Sequence, residues 1–377
     1  MSTHAPLAPW LQPALADLLR QRGHAWLLYG PSGLGQYELA LALASAWLCE
    51  QPSPEGACGR CVSCHAISVR THADLCVLMP EITLQAFGWP LDDKSQQALD
   101  EKTRKPSREI RVEAMRDAVG FAQRTSARGR GKVLIVYPAE RMNVFTANAL
   151  LKTLEEPPGD LRFVLASDAA SQLLPTIRSR CMSLALPWPS ADVALDWLAS
   201  EKVAPHEAQS WLLAAGGRPG DALALAREGR PASAWAALPK ALHRGGADGV
   251  AAMSEVSGGT PARAVEALQK LCHDLFVRAS GAAPRFFAAD DLPASPSAMV
   301  LARWWKALMT SAQTTEHPFN AGLMLEALAS DAALVLGAGM ATRERGLSRE
   351  FGAAGNAPMR KMRADRDASG TPTGREP

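Results

Sequence analysis

The sequence predicts an α/β fold for residues 1–186, a parallel sheet flanked by helices, followed by regions built from helices alone. Three observations carry that reading. Apolar runs of strand length stand at 25–29 (AWLLY), 132–137 (KVLIVY) and 161–167 (LRFVLAS), continuous rather than alternating, as in strands buried on both faces. Helical segments lie between them, among them 144–155. After Pro187-Trp188-Pro189-Ser190 no β-branched run of that kind recurs, and Ala- and Leu-rich helical segments take over.

The first apolar run ends at Gly30 and is followed by Gly30-Pro31-Ser32-Gly33-Leu34-Gly35-Gln36-Tyr37, a glycine-rich turn, and then by helix to about Cys49. Strand, glycine-rich turn and helix in that order make the setting of a phosphate-binding loop. Two insertions follow. Residues 49–64 hold a cysteine cluster, and 85–108 is a polar stretch expected to be a mobile surface loop. Residues 187–240 are expected to form a small helical domain, with a Gly216-Gly217-Arg218-Pro219-Gly220 turn inside it. Residues 241–347 are expected to be an all-α domain. The tail, 348–377, is Gly-, Ala-, Arg-, Asp- and Pro-rich with little to bury, and is expected to be disordered.

Of the 377 residues, 47% are hydrophobic and 21% charged, an ordinary soluble composition with a net charge of only +2. No global basic field announces nucleic-acid binding, so any such contact must come from a local surface. The longest apolar stretches, such as 39–49, are too short to span a bilayer, and no signal-peptide pattern opens the sequence. A cytoplasmic location is expected.

In a reducing compartment, clustered cysteines read as metal ligands rather than disulfides. Cys49-x8-Cys58-x2-Cys61-x2-Cys64 offers four thiolates, with Gly56 and Gly59 at the turns. That set suits tetrahedral zinc and leaves no open position for a catalytic water, so the expected role is structural. His65 adjoins the last ligand and could replace one, although four cysteines suffice. Cys76, Cys181 and Cys272 are isolated and read as ordinary buried residues.

The phosphate loop lacks its working parts. A functional loop needs a lysine and then a serine or threonine after the last glycine, and these positions hold Gln36 and Tyr37. Losing the lysine removes a charge-assisted contact worth roughly 1.5–3 kcal/mol. Tyr37 adds a bulky ring where a small hydroxyl should hold Mg²⁺. Gly30, Gly33 and Gly35 keep the loop's outline, so its amides could still attract an anion weakly. The 132–137 strand carries no acid at its tip, and Glu140, further on, is a poor substitute.

Asn148-Ala149-Leu150-Leu151-Lys152-Thr153-Leu154-Glu155-Glu156-Pro157-Pro158 resembles the signature shared by the gamma/tau and delta-prime subunits of bacterial DNA polymerase III clamp loaders. Thr176-Ile177-Arg178-Ser179-Arg180-Cys181 is similar to the same family's SRC motif, and the cysteine module also matches. The resemblance covers roughly residues 8–225. It implies an AAA+ P-loop-type domain with an inserted zinc module, a helical lid domain over 187–240 and an all-α collar over 241–347.

On that resemblance the family's acidic pair falls on Tyr137 and Pro138, and its second-domain arginine falls on Gly220, with Arg218 nearby but out of register. Every part needed for hydrolysis in cis is replaced, as in delta-prime; Pro9-Trp10-Leu11 also resembles the delta-prime start. Arg180 corresponds to an arginine finger that completes the adjacent subunit's ATP site. Arg178 is expected to be structural, and Lys152, Glu155 and Glu156 to hold the helix and its interface.

The resemblance therefore implies a non-hydrolysing subunit of the polymerase holoenzyme. Its partners would be gamma/tau and delta, with the sliding clamp met indirectly and primed DNA met at its phosphate backbone. ATP is not expected to bind this chain. An ATP-hydrolysing gamma/tau-like motor is the alternative. A free-standing zinc-ribbon nucleic-acid binder is disfavoured by the near-neutral charge.

Overall fold

The computed structural model describes residues 6–315 and 320–352. The chain divides into two compact units, one of residues up to Ala237 with Arg285–Ala288, the other of Leu238–Pro284 and the residues from Ala289 on.

In the first unit α1 (Gln12–Arg20) leads into β1 (Ala25–Tyr29), α2 (Gln36–Leu48), α3 (Val62–Ser68), β2 (Leu75–Leu78), α4 (Glu81–Phe87), α5 (Asp93–Asp100) and α6 (Val112–Gln123). Then come β3 (Lys132–Val136), α7 (Val144–Glu155), β4 (Leu161–Ser167), α8 (Pro175–Arg178) and β5 (Met182–Ala185). Three helices follow, α9 (Ala191–Ser200), α10 (Pro205–Ala214) and α11 (Pro219–Arg227).

The five strands form one parallel sheet in the order β2-β3-β4-β1-β5, with Leu27 opposite Leu165 and Ile135 opposite Val164. Its two faces follow the strand's two-residue alternation. Trp26, Leu28, Val133, Ile135 and Val164 pack with Leu11, Leu18, Leu39 and Leu43 of the α1–α2 side. Ala25, Leu27, Leu134, Phe163 and Leu165 pack with Met115, Ala118, Leu150 and Leu154 of the α6–α7 side. With helices on both faces, the central strands need no polar face, which is why their apolar runs are continuous.

The sequence reading found β1, β3 and β4 but not β2 or β5. Both missed strands have four residues and lie at the sheet's edges, where β5 stays largely exposed and Leu78 is the one buried residue of β2. The 85–108 stretch also differs from the expected loop: it contains the end of α4 and all of α5. Asp92 caps α5, its side chain accepting from the Ser95 amide at 2.9 Å. Lys94, Gln96, Gln97, Ala98 and Leu99 favour helix without forming a strong apolar stripe, so periodicity does not reveal the helix.

The second unit contains the end of α12 (Ala232–Arg244), then α13 (Gly246–Ser257), α14 (Pro261–Ala279), α15 (Ala298–Thr314) and α16 (Ala321–Gly352). Leu268, Leu271, Cys272 and Leu275 make the buried stripe of α14, and the Cys272 thiol donates to the Leu301 carbonyl of α15 at 3.5 Å. Helix α16 includes 348–352, and the rest of the expected tail lies outside the described residues. Among the described residues no helix is long and apolar enough to cross a membrane.

Candidate functional site

In a parallel sheet, ligands meet the loops at the carboxyl ends of the strands. Here those ends carry the Gly30–Gly35 loop after β1, Tyr137 after β3 and Asp168 after β4. The loop has the expected backbone, with Gly33 and Gly35 in the left-handed region at φ 78° and 100°. It is closed from several sides by the chain's own groups.

Gln36, 2% exposed, donates its amide to the carbonyls of Gly30 at 2.6 Å and Pro31 at 2.8 Å, so it ties the loop to itself. Trp10 braces the loop through a 2.8 Å bond from its indole N–H to the Leu34 carbonyl, and Leu11 lies so near Gly35 that an added Cβ would come within 2.6 Å of it. On the other side, the Gly220 amide at the start of α11 donates to the Gly33 carbonyl at 2.9 Å. A Cβ at Gly220 would stand 2.8 Å from that oxygen, so this position admits no side chain, least of all an arginine. Asp221 accepts from Ser32 Oγ at 2.9 Å and from Arg218 Nε at 2.6 Å, which places a carboxylate against the loop.

Tyr37 and Tyr137, separate along the chain, meet with ring centroids 5.6 Å apart. Phe87 packs edge-on to Tyr37 at 4.6 Å, and the Trp89 indole donates to Tyr37 Oη at 2.7 Å. Met79 completes this small core. Burial pushes the Tyr37 phenol up to about 12. Burial, reinforced by the Asp168 charge, raises Tyr137 as well. The end of α4 and the turn after it thus supply two aromatic rings to the space between the loop and β3, a role for the polar stretch that sequence reasoning missed.

Asp168 was also missed. Its Oδ2 accepts from Tyr137 Oη at 3.3 Å, while Oδ1 is buried without a protein partner. Burial, then the neighbouring Glu140, pushes its carboxyl up to about 7. Glu140 lies on the turn after β3 and accepts from Ser167 Oγ at 2.7 Å and the Asp168 amide at 3.2 Å. A position directly after the tip of a predicted strand is the signal that could have marked Asp168.

The four cysteines converge: their sulfurs all lie within 4.8 Å of one another. The separations are 3.7 Å for Cys49–Cys64, 3.8 Å for Cys49–Cys61 and 4.0 Å for Cys58–Cys64. Sulfurs held tetrahedrally at about 2.3 Å from an ion stand about 3.8 Å apart, so the set fits a closed metal site. Burial raises the Cys49 thiol, and backbone amides of Cys58 and Gln51, pointing at its sulfur at 3.3 and 3.4 Å, offset part of that rise. The Arg60 amide draws the Cys58 thiol down to about 6. His65 is exposed and outside the set. Of the isolated cysteines, Cys272 is buried, whereas Cys76 and Cys181 are only partly so; burial pushes all three thiols up to about 12, marking them as unreactive.

Arg180 lies at the opposite end of the sheet from the loop, between α8 and β5. Its Nη1 donates to the Thr176 carbonyl at 2.9 Å, and its Nε and Nη2 engage Glu155. The structure therefore brings together the loop, Gln36, Tyr37, Tyr137 and Gly220, and separately the four cysteines; it keeps Arg180 apart from both. Arg178 and Lys152 are exposed on its side of the sheet.

Residues 15–190 match the family described as DNA polymerase III, delta subunit. The chain is 43% identical over 219 residues to the DNA polymerase III subunit delta′ of Pseudomonas aeruginosa, covering 57% of this chain and 60% of that one. It is 34% identical over 226 residues to the Escherichia coli subunit delta′, covering 58% and 60%. The Escherichia coli DNA polymerase III subunit tau is 31% identical over 210 residues, covering 54% of this chain and 28% of that one. The chain thus spans 60% of the length of these two delta′ relatives. Through this region, the chain is similar to the family described as DNA polymerase III, delta subunit, and to proteins named subunit delta′.

Proposed function

We propose that the chain is a non-hydrolysing, delta-prime-type subunit of a clamp loader, one that supports ATP-dependent loading of a sliding clamp without turning over ATP itself. The observation that carries this reading is the Tyr37–Tyr137 contact, which fills with aromatic surface the space where a metal and its acidic ligand would meet. A neutral amide at Gln36, already spent on two loop carbonyls, cannot replace a lysine's charge on a triphosphate.

Arg180 is then the group the chain exports. A guanidinium supplied in trans stabilises charge on the transferring phosphoryl group of a neighbouring ATP site. Residues 187–240 would serve as the lid, 241–347 as the collar holding gamma/tau and delta partners, and DNA would be met only along its phosphate backbone. The thiol cluster would hold zinc in a structural role, with Cys49, Cys58, Cys61 and Cys64 closing its coordination shell.

The matches to tau favour, in part, the second reading of an active motor. Titration of the whole chain with Mg·ATP separates the two: no saturable binding is expected at micromolar nucleotide. Tight binding abolished by Gln36→Ala would overturn the inert-site reading.

A further inference from the structure

We propose that Glu155 is a positioning residue for Arg180: it holds the guanidinium ready for the neighbouring subunit's ATP. The inference rests on the reading of Arg180 as a finger and deepens it. The last residue of α7 is Glu155, and Glu156-Pro157-Pro158 follows. Two acids at this end oppose the helix dipole, which favours cations there. A local rule broken in this way points to a use outside the helix. Glu155 meets that use through Arg180, twenty-five residues further on.

The contact is fixed from both sides. The end of α7 is tied to the sheet by His24, whose ring Nε2 lies 3.1 Å from the Leu154 carbonyl. Arg180 closes the short helix α8 by donating through Nη1 to the Thr176 carbonyl at 2.9 Å, with Ser179 Oγ at 3.4 Å. Glu155 then takes the Nε and Nη2 edge through one carboxylate oxygen. Of the guanidinium's five N–H groups, this leaves Nη2 a hydrogen to offer an incoming phosphoryl oxygen.

Both side chains remain reachable, at 35% exposed for Arg180 and 45% for Glu155. An arginine on a free stem loses rotamer freedom whenever it engages a partner, and ordering it beforehand lowers that loss. An exposed ion pair adds little to fold stability, so removing Glu155 should leave the chain folded and move the finger.

The test is a double-mutant cycle in the whole reconstituted clamp-loader complex, reading DNA-stimulated ATP hydrolysis. Glu155→Gln and Glu155→Ala should each lower kcat by about tenfold at unchanged KM for ATP, the scale of a misplaced catalytic group. Glu155→Asp should recover most of the loss. Arg180→Ala should be slower still, and adding Glu155→Ala to it should slow it no further. The thermal melt of each variant chain should match the parent. If Glu155→Ala slows the Arg180→Ala complex by the same factor as the parent, or leaves the parent's rate unchanged, the positioning role is overturned. If Arg180→Ala itself leaves the rate unchanged, the finger reading falls, and the positioning role with it.

Discussion

Replacing Asp168 by Asn isolates the electrostatics of the closed loop site. In the folded chain this carboxyl is pushed up to about 7, from an ordinary value of 3.8, by burial and then by Glu140. Below about pH 4 both folded and unfolded states hold the proton, and burial carries no ionic penalty. Between about pH 4 and 7 the unfolded chain ionises while the folded chain keeps its proton, so stability falls as pH rises; above 7 the loss is complete. At about 1.4 kcal/mol per pKa unit, the roughly three units amount to about 4 kcal/mol, a ceiling because an ionised group draws in water and relaxes its surroundings. Asparagine keeps an acceptor for Tyr137 Oη and never ionises. Asp168→Asn should therefore match the parent near pH 4 and exceed it by at least about 1 kcal/mol at pH 8. The assay is urea unfolding at half-unit pH steps, with hydrogen exchange of β1 and β4 amides assigning the transition to the first unit. Parallel stability curves from pH 4 to 8, or a variant less stable at pH 8, would refute the reasoning.

The aromatic core beside the loop makes a second prediction. Tyr37→Phe leaves the buried Trp89 indole N–H without its acceptor and should cost about 1–3 kcal/mol, while the double variant with Trp89→Phe should cost less than the sum of the two singles. Additive losses in thermal melts would show that the bond is not formed. The thiol cluster makes a third. Purified chain should carry one zinc by mass spectrometry, and Cys64→Ser should release it and lower the melting temperature. Zinc-free chain with an unchanged melt would remove the metal from the account.

On the proposed reading, the chemistry is divided between the two ends of the sheet. At the carboxyl end, Gln36, Trp10 and Gly220 spend their donors on the loop's own carbonyls, and Tyr37 packs on Tyr137. At the amino end, Arg180 stays on the surface. The two regions need no mutual contact for the proposed function: one has only to exclude nucleotide, and the other only to reach a neighbour's.

The features legible along the chain are those whose cause is local. Continuous apolar runs marked β1, β3 and β4 because each strand is buried on both faces, and α7 was bounded at Val144 and Glu155. The spacing from Cys49 to Cys64 marked the four-thiol cluster, whose sulfurs do converge. The missing lysine and hydroxyl were read directly at Gln36 and Tyr37.

What escaped depends on residues far apart in sequence. β2 and β5 have too few residues to signal themselves and owe their state to pairing with β3 and β1. That Trp89 would bond Tyr37 across 52 residues, or Asp221 reach Ser32 across 189, cannot be read from either segment. The sequence by itself determined that Gln36 and Tyr37 stand where a phosphate-binding loop needs a lysine and a small hydroxyl, and that four cysteines share a spacing suited to a metal. Only the tertiary structure decided what surrounds that loop, because packing alone brings Tyr137 and Phe87 onto Tyr37 and Gly220 against Gly33.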